Sequence, residues 1–481
     1  MASGVDFVDG VATTDAWPHT RRPLPWLLAG FLVMIFWIPF ESIHMKVHLP
    51  FSSDFDRFFV AIIIVVWLVG TVVRDRSGIV RLRPRGWAFG VLAIVAVAVA
   101  SIVVNVPDIT NLGEWQIAEK QIFVLLGLVA IFAIAAVTLR VAELRPLAVL
   151  IVCLAVVTAL GTVYEKKSGD NLFYKAAATV LSPVAEVEPA ATVANPELDQ
   201  GRPMIIGPTR HPLSVTSLLG MALPFAIVLA AIAKTTRRRL LWALAAAVIV
   251  LGALITQRKS GLVIPAFAIL VLFMLRPRQL IRLAPFGLIG LAAAVAIAPG
   301  LFGSLGELGR EDSRDSVEGR TSDYPAIVPD LLTQPALGQG FGTLDTQRQD
   351  TYRIFDNEYL GQVFQGGLLG LLAFIAFIVT PLFVVGRVLR SDNPLRGPPA
   401  LAAGAGCLAF GVASALYDIF SFNPAPYLFA ILGAICVVAA SVEMPAPEPK
   451  PVRARPRRRG RRRRRQLEGL KPAGIGSPSG G

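Results

Sequence analysis

The stretch that decides the fold class reads LLWALAAAVIVLGALI–TQRKS–GLVIPAFAILVLFML and covers residues 240–275. Two uninterrupted apolar runs flank a short polar connection that contains Arg258 and Lys259. Apolar runs of this kind approach the length that a helix needs to cross the hydrocarbon core of a bilayer. The pattern predicts two transmembrane helices joined by a tight, positively charged turn.

Composition extends this prediction to most of the chain. Hydrophobic residues make up 54% of the 481 residues, and the mean hydropathy is +0.61. A soluble protein of this length could not bury so much apolar surface, so a bilayer must surround most of the chain. The first apolar run, 24–40, lacks a small-residue cleavage site and indicates a spanning helix rather than a signal peptide.

Apolar runs elsewhere predict an all-α, polytopic membrane protein of about twelve transmembrane helices. We expect a cytoplasmic N-terminal tail at 1–23, a transmembrane domain at 24–443 and a disordered polybasic cytoplasmic tail at 444–481. The predicted spans are 24–40, 58–73, 87–106, 122–139, 146–163, 213–233, 240–256, 261–275, 284–300, 367–386, 398–416 and 426–443.

Alternate connections between these spans are rich in arginine and lysine, and the C-terminal tail contains RARPRRRGRRRRR. Because positive residues stay on the cytoplasmic side, both termini are predicted to be cytoplasmic in a multi-pass plasma-membrane protein. Two long loops, 164–212 and 301–366, then face the other side. The tail is expected to bind the anionic lipids of the inner leaflet, and no nucleic acid is expected as a partner.

The basic turn at 256–261 lies on the side where positive charge is scarce. Arg258 and Lys259 could extend to lipid head groups, or they could bind an anion such as phosphate. We favour anion binding, because cations at membrane depth usually serve a function. Ser260 and Gly261 would then leave the first backbone N–H groups of the next helix free for phosphate oxygens.

A second candidate motif, GPTRHPLS at 207–214, precedes the sixth span. Arg210 can bind phosphate through two hydrogen bonds, and His211 can change protonation near neutral pH. The alternative is a plain junction between loop and helix, with Pro212 in the first turn. The sequence leaves both interpretations open.

The end of the second long loop reads FDNEYLGQVFQGGLLGLL from Phe355. A carboxylate such as Asp356 could accept a proton from a hydroxyl nucleophile, whereas Asp356 or Asn357 could equally cap the following helix. Upstream, a helix is expected around 325–332, followed by a glycine-rich turn, LGQGFG, that lacks the strand of a dinucleotide site.

Metal and cofactor signals are weak. Asp54 and Asp56 form a D-x-D pair, and His44 and His48 lie four residues apart, but both are common spacings in loops. No Walker motif is present. We therefore expect no metal and no cofactor.

Taken in order, GPTRHP, QRKSG, GRTSDY with LTQPALGQGFG, and DNEYLGQVFQGGLLGLLAF resemble the bacterial O-antigen ligase and Wzy-type polymerase superfamily. The resemblance is concentrated in residues 205–385. It implies a fold of about a dozen helices and a metal-independent glycosyltransferase that uses a polyprenyl-diphosphate-linked glycan as donor. The implied acceptor is a hydroxyl group of a glycan, lipid or protein.

The resemblance also implies roles for individual residues. Arg210 and Arg258 correspond to the residues that bind the diphosphate, with Lys259 and Arg320 in support and Ser260 and Asn357 beside them. His211 matches the histidine of a G-x-x-x-H-P stretch. Where ligases have His-Asn before the late span, this chain has Asp356-Asn357, so Asp356 and His211 are the two candidate bases.

Two other classes of protein fit parts of the pattern. A secondary transporter or flippase of lipid-linked glycans would also have a dozen helices, but it would place polar residues near the middle of the membrane. A non-catalytic component of polysaccharide export would use the basic tail for interactions. The position of the ionisable residues at the predicted outer boundary favours an enzyme.

Overall fold

Helices dominate the protein because a backbone surrounded by lipid must satisfy its hydrogen bonds within each segment. The computed structural model describes residues 7–8, 11–12, 15–46, 55–72, 79–188, 204–277, 281, 328–329, 331–343, 355–386, 388–389 and 393–445. The predicted span at 284–300, the C-terminal tail and Arg320 lie outside these residues.

Thirteen helices are numbered here along the described parts of the chain. They are α1 Pro23–Trp37, α2 Phe55–Val72, α3 Phe89–Val104, α4 Val106–Asn111, α5 Trp115–Thr138, α6 Leu144–Ser168, α7 Leu172–Leu181, α8 Pro212–Ala231, α9 Thr236–Leu254, α10 Lys259–Leu275, α11 Glu358–Val385, α12 Gly397–Ser414 and α13 Pro424–Ala440. Short strands are β1 Phe7–Val8, β2 Val11–Ala12, β3 Ile43–Met45, β4 Ile79–Leu82, β5 Ala185–Val187 and β6 Val442–Pro445. They pair as β1–β2, β3–β5 and β4–β6.

Six helices in the described residues are long and apolar enough to cross a membrane. Five shorter apolar helices accompany them. The long ones are α2, α5, α6 with the turn before it, α8, α11 and α12, and the shorter ones are α1, α3, α7, α10 and α13. The chain is thus a helical, polytopic membrane protein.

Two predicted boundaries differ from the structure. The predicted loop 164–212 begins inside α6, which continues to Ser168 and ends at Gly169 in the left-handed conformation, and α7 follows at once. The predicted span 367–386 is the second part of α11, which begins at Glu358 and is interrupted at Gly367. Hydropathy alone missed both extensions because their sequences contain charged and amide side chains.

Helices α8 and α13 form the centre of the bundle. Nearly every side chain of both helices is buried, whereas α2 lies at the periphery with only three of its residues buried. Helix α8 packs against α6, α9, α10 and α12. Its first residue, Pro212, directly follows the GPTRH motif, so one of the two most buried helices in the described residues fixes the position of that motif.

One end of the bundle is rich in arginine, and we call it the arginine-rich end, comprising 15–22, 79–88, 139–143, 389, 393–396 and 441–444. Hydrogen bonds tie these segments together: Arg81 donates to the Val137 carbonyl at 2.9 Å, and Arg396 donates to the Ala439 carbonyl at 3.0 Å. The Val141 N–H donates to Glu443 at 3.1 Å.

The opposite end, which we call the loop-rich end, comprises 38–46, 105–114, 168–188, 204–211, 255–260, 338–343, 355–357 and 415–423. Strand β3 pairs with β5 here, with Ile43 opposite Val187. The Asn423 N–H donates to Glu41 at 2.8 Å, and the Asn105 side chain donates to the Gly338 carbonyl at 2.9 Å. All the described candidate residues of the sequence motifs lie at this end.

Candidate functional site

The GPTR segment before α8 is held rigidly by side chains from α6 and α7. Glu165 accepts the Gly207 N–H at 2.9 Å, and Asn171 donates to the Gly207 carbonyl at 2.7 Å. Gly207 has φ +57, a conformation that favours glycine. The Tyr174 hydroxyl donates to the Thr209 carbonyl at 3.1 Å. The backbone is therefore fixed up to the residue before Arg210.

His211 occupies the N-cap position of α8, with Pro212 as the first helical residue. Its Nδ1 accepts the Leu213 N–H at 3.3 Å, and its ring packs on Phe422 with centroids 5.2 Å apart. A neutral imidazole whose Nδ1 accepts a hydrogen bond carries its proton on Nε2. The structure therefore shows a junction between loop and helix, with His211 capping α8.

Arg210 is exposed, and an acidic residue, Glu41, lies beside it between α1 and α2. Burial raises the pKa of Glu41 to about 7, opposed by the Asn423 N–H and by the charge of Arg210, while Asp56 raises it further. Part of the Glu41 side chain reaches the surface, but its Oε2 atom is buried, which accounts for the direction of the shift.

This shift predicts a pH-dependent contribution of Glu41 to stability. The folded state favours the neutral carboxyl group, so the contribution is fully present below pH 4.5 and is lost as pH rises through about 7. The loss amounts to at most about 3 kcal/mol. We expect Glu41→Gln to raise the thermal midpoint of the lipid-reconstituted protein at pH 8 but not at pH 4, measured by intrinsic fluorescence.

The matched control for that measurement is Glu186→Gln, which changes an exposed carboxylate on β5 at the same end of the bundle. The carboxyl group of Glu186 is exposed, not buried. The thermal midpoint of Glu186→Gln should therefore change with pH as that of the wild type does. Parallel profiles for Glu41→Gln and the wild type would contradict the prediction.

The QRKSG turn begins after α9, and Gln257 takes the left-handed conformation with φ +56. Arg258 is the N-cap residue of α10 and Lys259 is its first residue, both partly exposed. The Ser260 hydroxyl lies 3.0 Å from the Thr216 hydroxyl of α8. This contact joins the N-terminal turns of α8 and α10, so Arg210, His211, Arg258 and Lys259 all lie at the N-terminal ends of two adjacent helices.

The small residues of this turn have a packing role that the sequence did not reveal. A Cβ atom on Gly261 would lie 2.3 Å from the Ala253 carbonyl oxygen, so only glycine permits the close approach of α9 and α10. The Gly261 N–H donates to the Arg258 carbonyl at 3.0 Å. The expectation that this N–H is free for a phosphate oxygen is therefore wrong.

The DNEY motif begins α11. Asn357 caps the helix, because its side chain accepts the Tyr359 N–H at 3.0 Å, while Asp356 is exposed. Glu358 is buried, and its two oxygens accept hydrogen bonds from the Gln362 side chain at 2.8 Å and from the Phe420 N–H at 3.1 Å. The motif thus presents one exposed and one buried carboxyl group.

Asp418, which the sequence did not single out, lies near this motif in the loop between α12 and α13. Burial raises its pKa to about 6, opposed by a hydrogen bond from Ser421, and the charge of Asp356 raises it further. No local pattern marks Asp418, because it joins the site only through the packing of α11 against α12 and α13.

The LGQGFG turn packs into the interruption of α11. The Leu368 and Leu369 N–H groups, which the break leaves without helical partners, donate to the Pro335 carbonyl at 2.9 Å and the Ala336 carbonyl at 3.1 Å. In return, the Gln339 N–H donates to the Phe364 carbonyl at 2.9 Å. The expected turn is present, and its glycines permit a close approach between two backbones.

The weaker metal candidates have other contacts. Asp56 accepts hydrogen bonds from the Tyr427 hydroxyl at 2.9 Å and the Asn423 side chain at 3.3 Å, and His44 lies 3.7 Å from Glu188. Asp54 and His48 fall outside the described residues. Within the part of the chain that the structure describes, no group of three or more histidine, cysteine or acidic residues could hold a metal ion.

Fold and site together define a polytopic membrane protein whose polar, partly cationic centre is assembled at one end of a helical bundle. A family model described as O-antigen ligase matches residues 244–375. The match covers roughly a quarter of the chain and includes the QRKSG turn, the LGQGFG turn and the DNEY motif. A search of curated proteins finds no match.

The family match confirms, over this region, the resemblance to O-antigen ligases and Wzy-type proteins that the motifs indicated. It supports a ligase or polymerase role in polysaccharide assembly, carried out by a glycosyltransferase-like enzyme in a membrane.

Proposed function

We propose that this protein transfers or polymerises a polyprenyl-diphosphate-linked glycan onto an acceptor hydroxyl at the extracytoplasmic face of the bacterial plasma membrane. The observation that carries the proposal is the Thr216–Ser260 contact, which holds the N-terminal turns of α8 and α10 together. Arg210, His211, Arg258 and Lys259 are the residues at those helix ends.

A diphosphate is the ligand that this arrangement suits best. The N-terminal end of a helix favours anions, and arginine binds phosphate oxygens through two parallel hydrogen bonds. At the boundary of the bilayer, the diphosphate can meet these cations while its polyprenyl chain remains in lipid. Arg210 and Arg258 would bind the diphosphate directly, and Lys259 would add positive charge. Arg320 lies outside the described residues and is a candidate from the sequence alone.

The orientation of the protein follows from its charge distribution. The arginine-rich end corresponds to the cytoplasmic side, because basic residues remain there, so the loop-rich end faces outward. Both termini are then cytoplasmic, and the polybasic tail can bind the anionic inner leaflet.

In the proposed reaction the acceptor oxygen attacks the anomeric carbon of the donor sugar. The bond between that carbon and the diphosphate oxygen breaks, the diphosphate leaves with the electron pair, and the hydroxyl proton passes to a base. Preorganised cations stabilise the departing charge, which is the largest electrostatic change of the reaction. Asp356 and His211 remain candidates for the base, and the hydrogen bond to Nδ1 of His211 favours a donor role for that ring.

The test is an assay of purified protein in lipid vesicles with a polyprenyl-diphosphate oligosaccharide and a hydroxyl acceptor. We expect release of free polyprenyl diphosphate together with an elongated or transferred glycan, and little effect of a chelator. A ladder of products indicates a polymerase and a single transfer indicates a ligase. Passage of intact donor across the bilayer without bond cleavage would instead establish a transporter and overturn the proposal.

A further inference from the structure

A polar pocket lies beside the proposed diphosphate site, at the start of α11. It encloses about 430 Å³, part of it open to solvent, and Glu358, Gln362, Gln365, Asp418, Phe341 and Phe420 are among the residues that line it. Among the described residues that line it, none is positively charged.

The polar groups of the pocket are held in fixed positions. Glu358 is fixed by its hydrogen bonds to Gln362 and to the Phe420 N–H. The carbonyl oxygen of the Gln365 side chain accepts the Gly342 N–H at 2.8 Å. The amide nitrogen of the same side chain therefore points away from Gly342. Gly361 lies between these groups, because a Cβ there would be 3.8 Å from the Gln365 amide nitrogen and 3.9 Å from a Glu358 oxygen.

The chemistry of the lining selects a neutral, hydroxyl-rich ligand. The described lining contains two carboxyl groups and no cation, so it offers no charge that would neutralise a diphosphate, whereas hydroxyl groups can donate to carboxylates and can donate to or accept from amides. Phe341 and Phe420 supply apolar surface for the C–H face of a sugar ring. A phosphate therefore fits the neighbouring cationic helix ends, and a sugar fits this pocket.

The loop between α12 and α13 connects the pocket with the proposed donor site. Asp418 and Phe420 line the pocket, and Phe422 of the same loop packs on His211. The loop is fixed at its start, because the Tyr417 hydroxyl donates to Ser217 of α8 at 2.8 Å. One short, anchored segment thus contacts both the GPTRH motif and the pocket.

We propose that this pocket binds the acceptor sugar of the glycan, with Asp418, in place of Asp356 or His211, accepting the proton of the attacking hydroxyl and Glu358 positioning the sugar. The proposal rests on the proposed glycosyl transfer. The proton moves from the acceptor oxygen to the Asp418 carboxylate as that oxygen bonds to the anomeric carbon of the donor, and the diphosphate leaves at the cationic helix ends.

The first experiment fills the pocket without changing any charge. Gly361→Leu places a side chain between Glu358 and Gln365, and we expect the KM for a soluble oligosaccharide acceptor to rise at least about tenfold. Binding of a photo-crosslinkable polyprenyl-diphosphate donor should be unchanged. The control is Gly70→Leu on α2, where no atom lies within 4 Å of the added Cβ, and it should behave like the wild type.

The second experiment removes the proposed base. Asp418→Asn should lower kcat by about a hundredfold with little change in the KM for the acceptor, as expected for loss of general-base catalysis. Glu358→Gln should mainly raise that KM. Gel filtration of the detergent-purified protein shows whether Gly361→Leu folds. If it does not fold, Asp418→Asn and Glu358→Gln still test the proposal.

The outcomes distinguish the two proposals. If the wild-type protein releases no polyprenyl diphosphate with any acceptor, the proposed function itself fails. If the wild type transfers glycan but folded Gly361→Leu, Asp418→Asn and Glu358→Gln all retain wild-type kcat and KM, the acceptor pocket is wrong and the proposed function stands.

Discussion

Arg258→Ala is expected to lower glycan transfer at least about a hundredfold, because losing one preorganised donor to a developing anion costs roughly 10²–10³ in rate. Arg258 is the N-cap residue of α10, and its side chain makes no capping hydrogen bond, so alanine should leave the helix start intact. The measurement is the initial rate of polyprenyl diphosphate release by protein reconstituted in vesicles.

A matched series separates this effect from a general change in charge. Arg210→Ala should show a loss of similar size, whereas Arg258→Lys should retain part of the activity, because lysine keeps the charge but cannot bind two oxygens in parallel. Arg238→Ala serves as the control. Arg238 is exposed in the first turn of α9, whereas the QRKSG turn follows the other end of that helix.

The double variant tests whether the two arginines act on one ligand. If both bind the same diphosphate, the combined loss should be smaller than the product of the single losses, since residues that act as a unit are not additive. A wild-type rate for Arg258→Ala, in protein that folds and inserts normally, would remove this residue from the proposed diphosphate site.

The sequence predicted the helices well where their composition is uniform. The spans around α8, α9 and α10 were placed within a few residues, because apolar side chains and the bilayer alone determine such segments. A junction with Pro212 in the first turn was one of two interpretations that the sequence left open, and the structure shows it, with His211 as a cap that the sequence did not predict.

The acceptor pocket could not be predicted in this way. Glu358 and Asp418 lie far apart in sequence, and each alone is an ordinary acidic residue near a helix end. They line one cavity only because α11 packs against α12 and α13. Similarly, the interruption of α11 at Gly367 is stabilised by hydrogen bonds with the distant 335–340 segment, which no local pattern encodes.

Gly367→Ala should have the largest effect on folding of any change considered, with a loss of about 4 kcal/mol or more. Gly367 interrupts α11 with φ +63, where a side chain is strained, and a Cβ there would lie 2.4 Å from the Ala336 carbonyl carbon. Backbone cannot move aside as a side chain can, so the hydrogen bonds of Leu368 and Leu369 to the 335–336 segment would break. The measurement is the yield of monodisperse protein in detergent.

Gly113→Ala is the control for a positive φ without a close contact. Gly113 has φ +72, and no atom lies within 4 Å of an added Cβ. Its variant should therefore show the cost of a positive φ alone, about 1–2 kcal/mol. Gly367 combines its positive φ with ψ −158, a conformation that essentially only glycine adopts, and with the close approach of the LGQGFG turn. A larger loss for Gly367→Ala measures these two contributions together, and equal losses would show that neither adds to the cost of a positive φ.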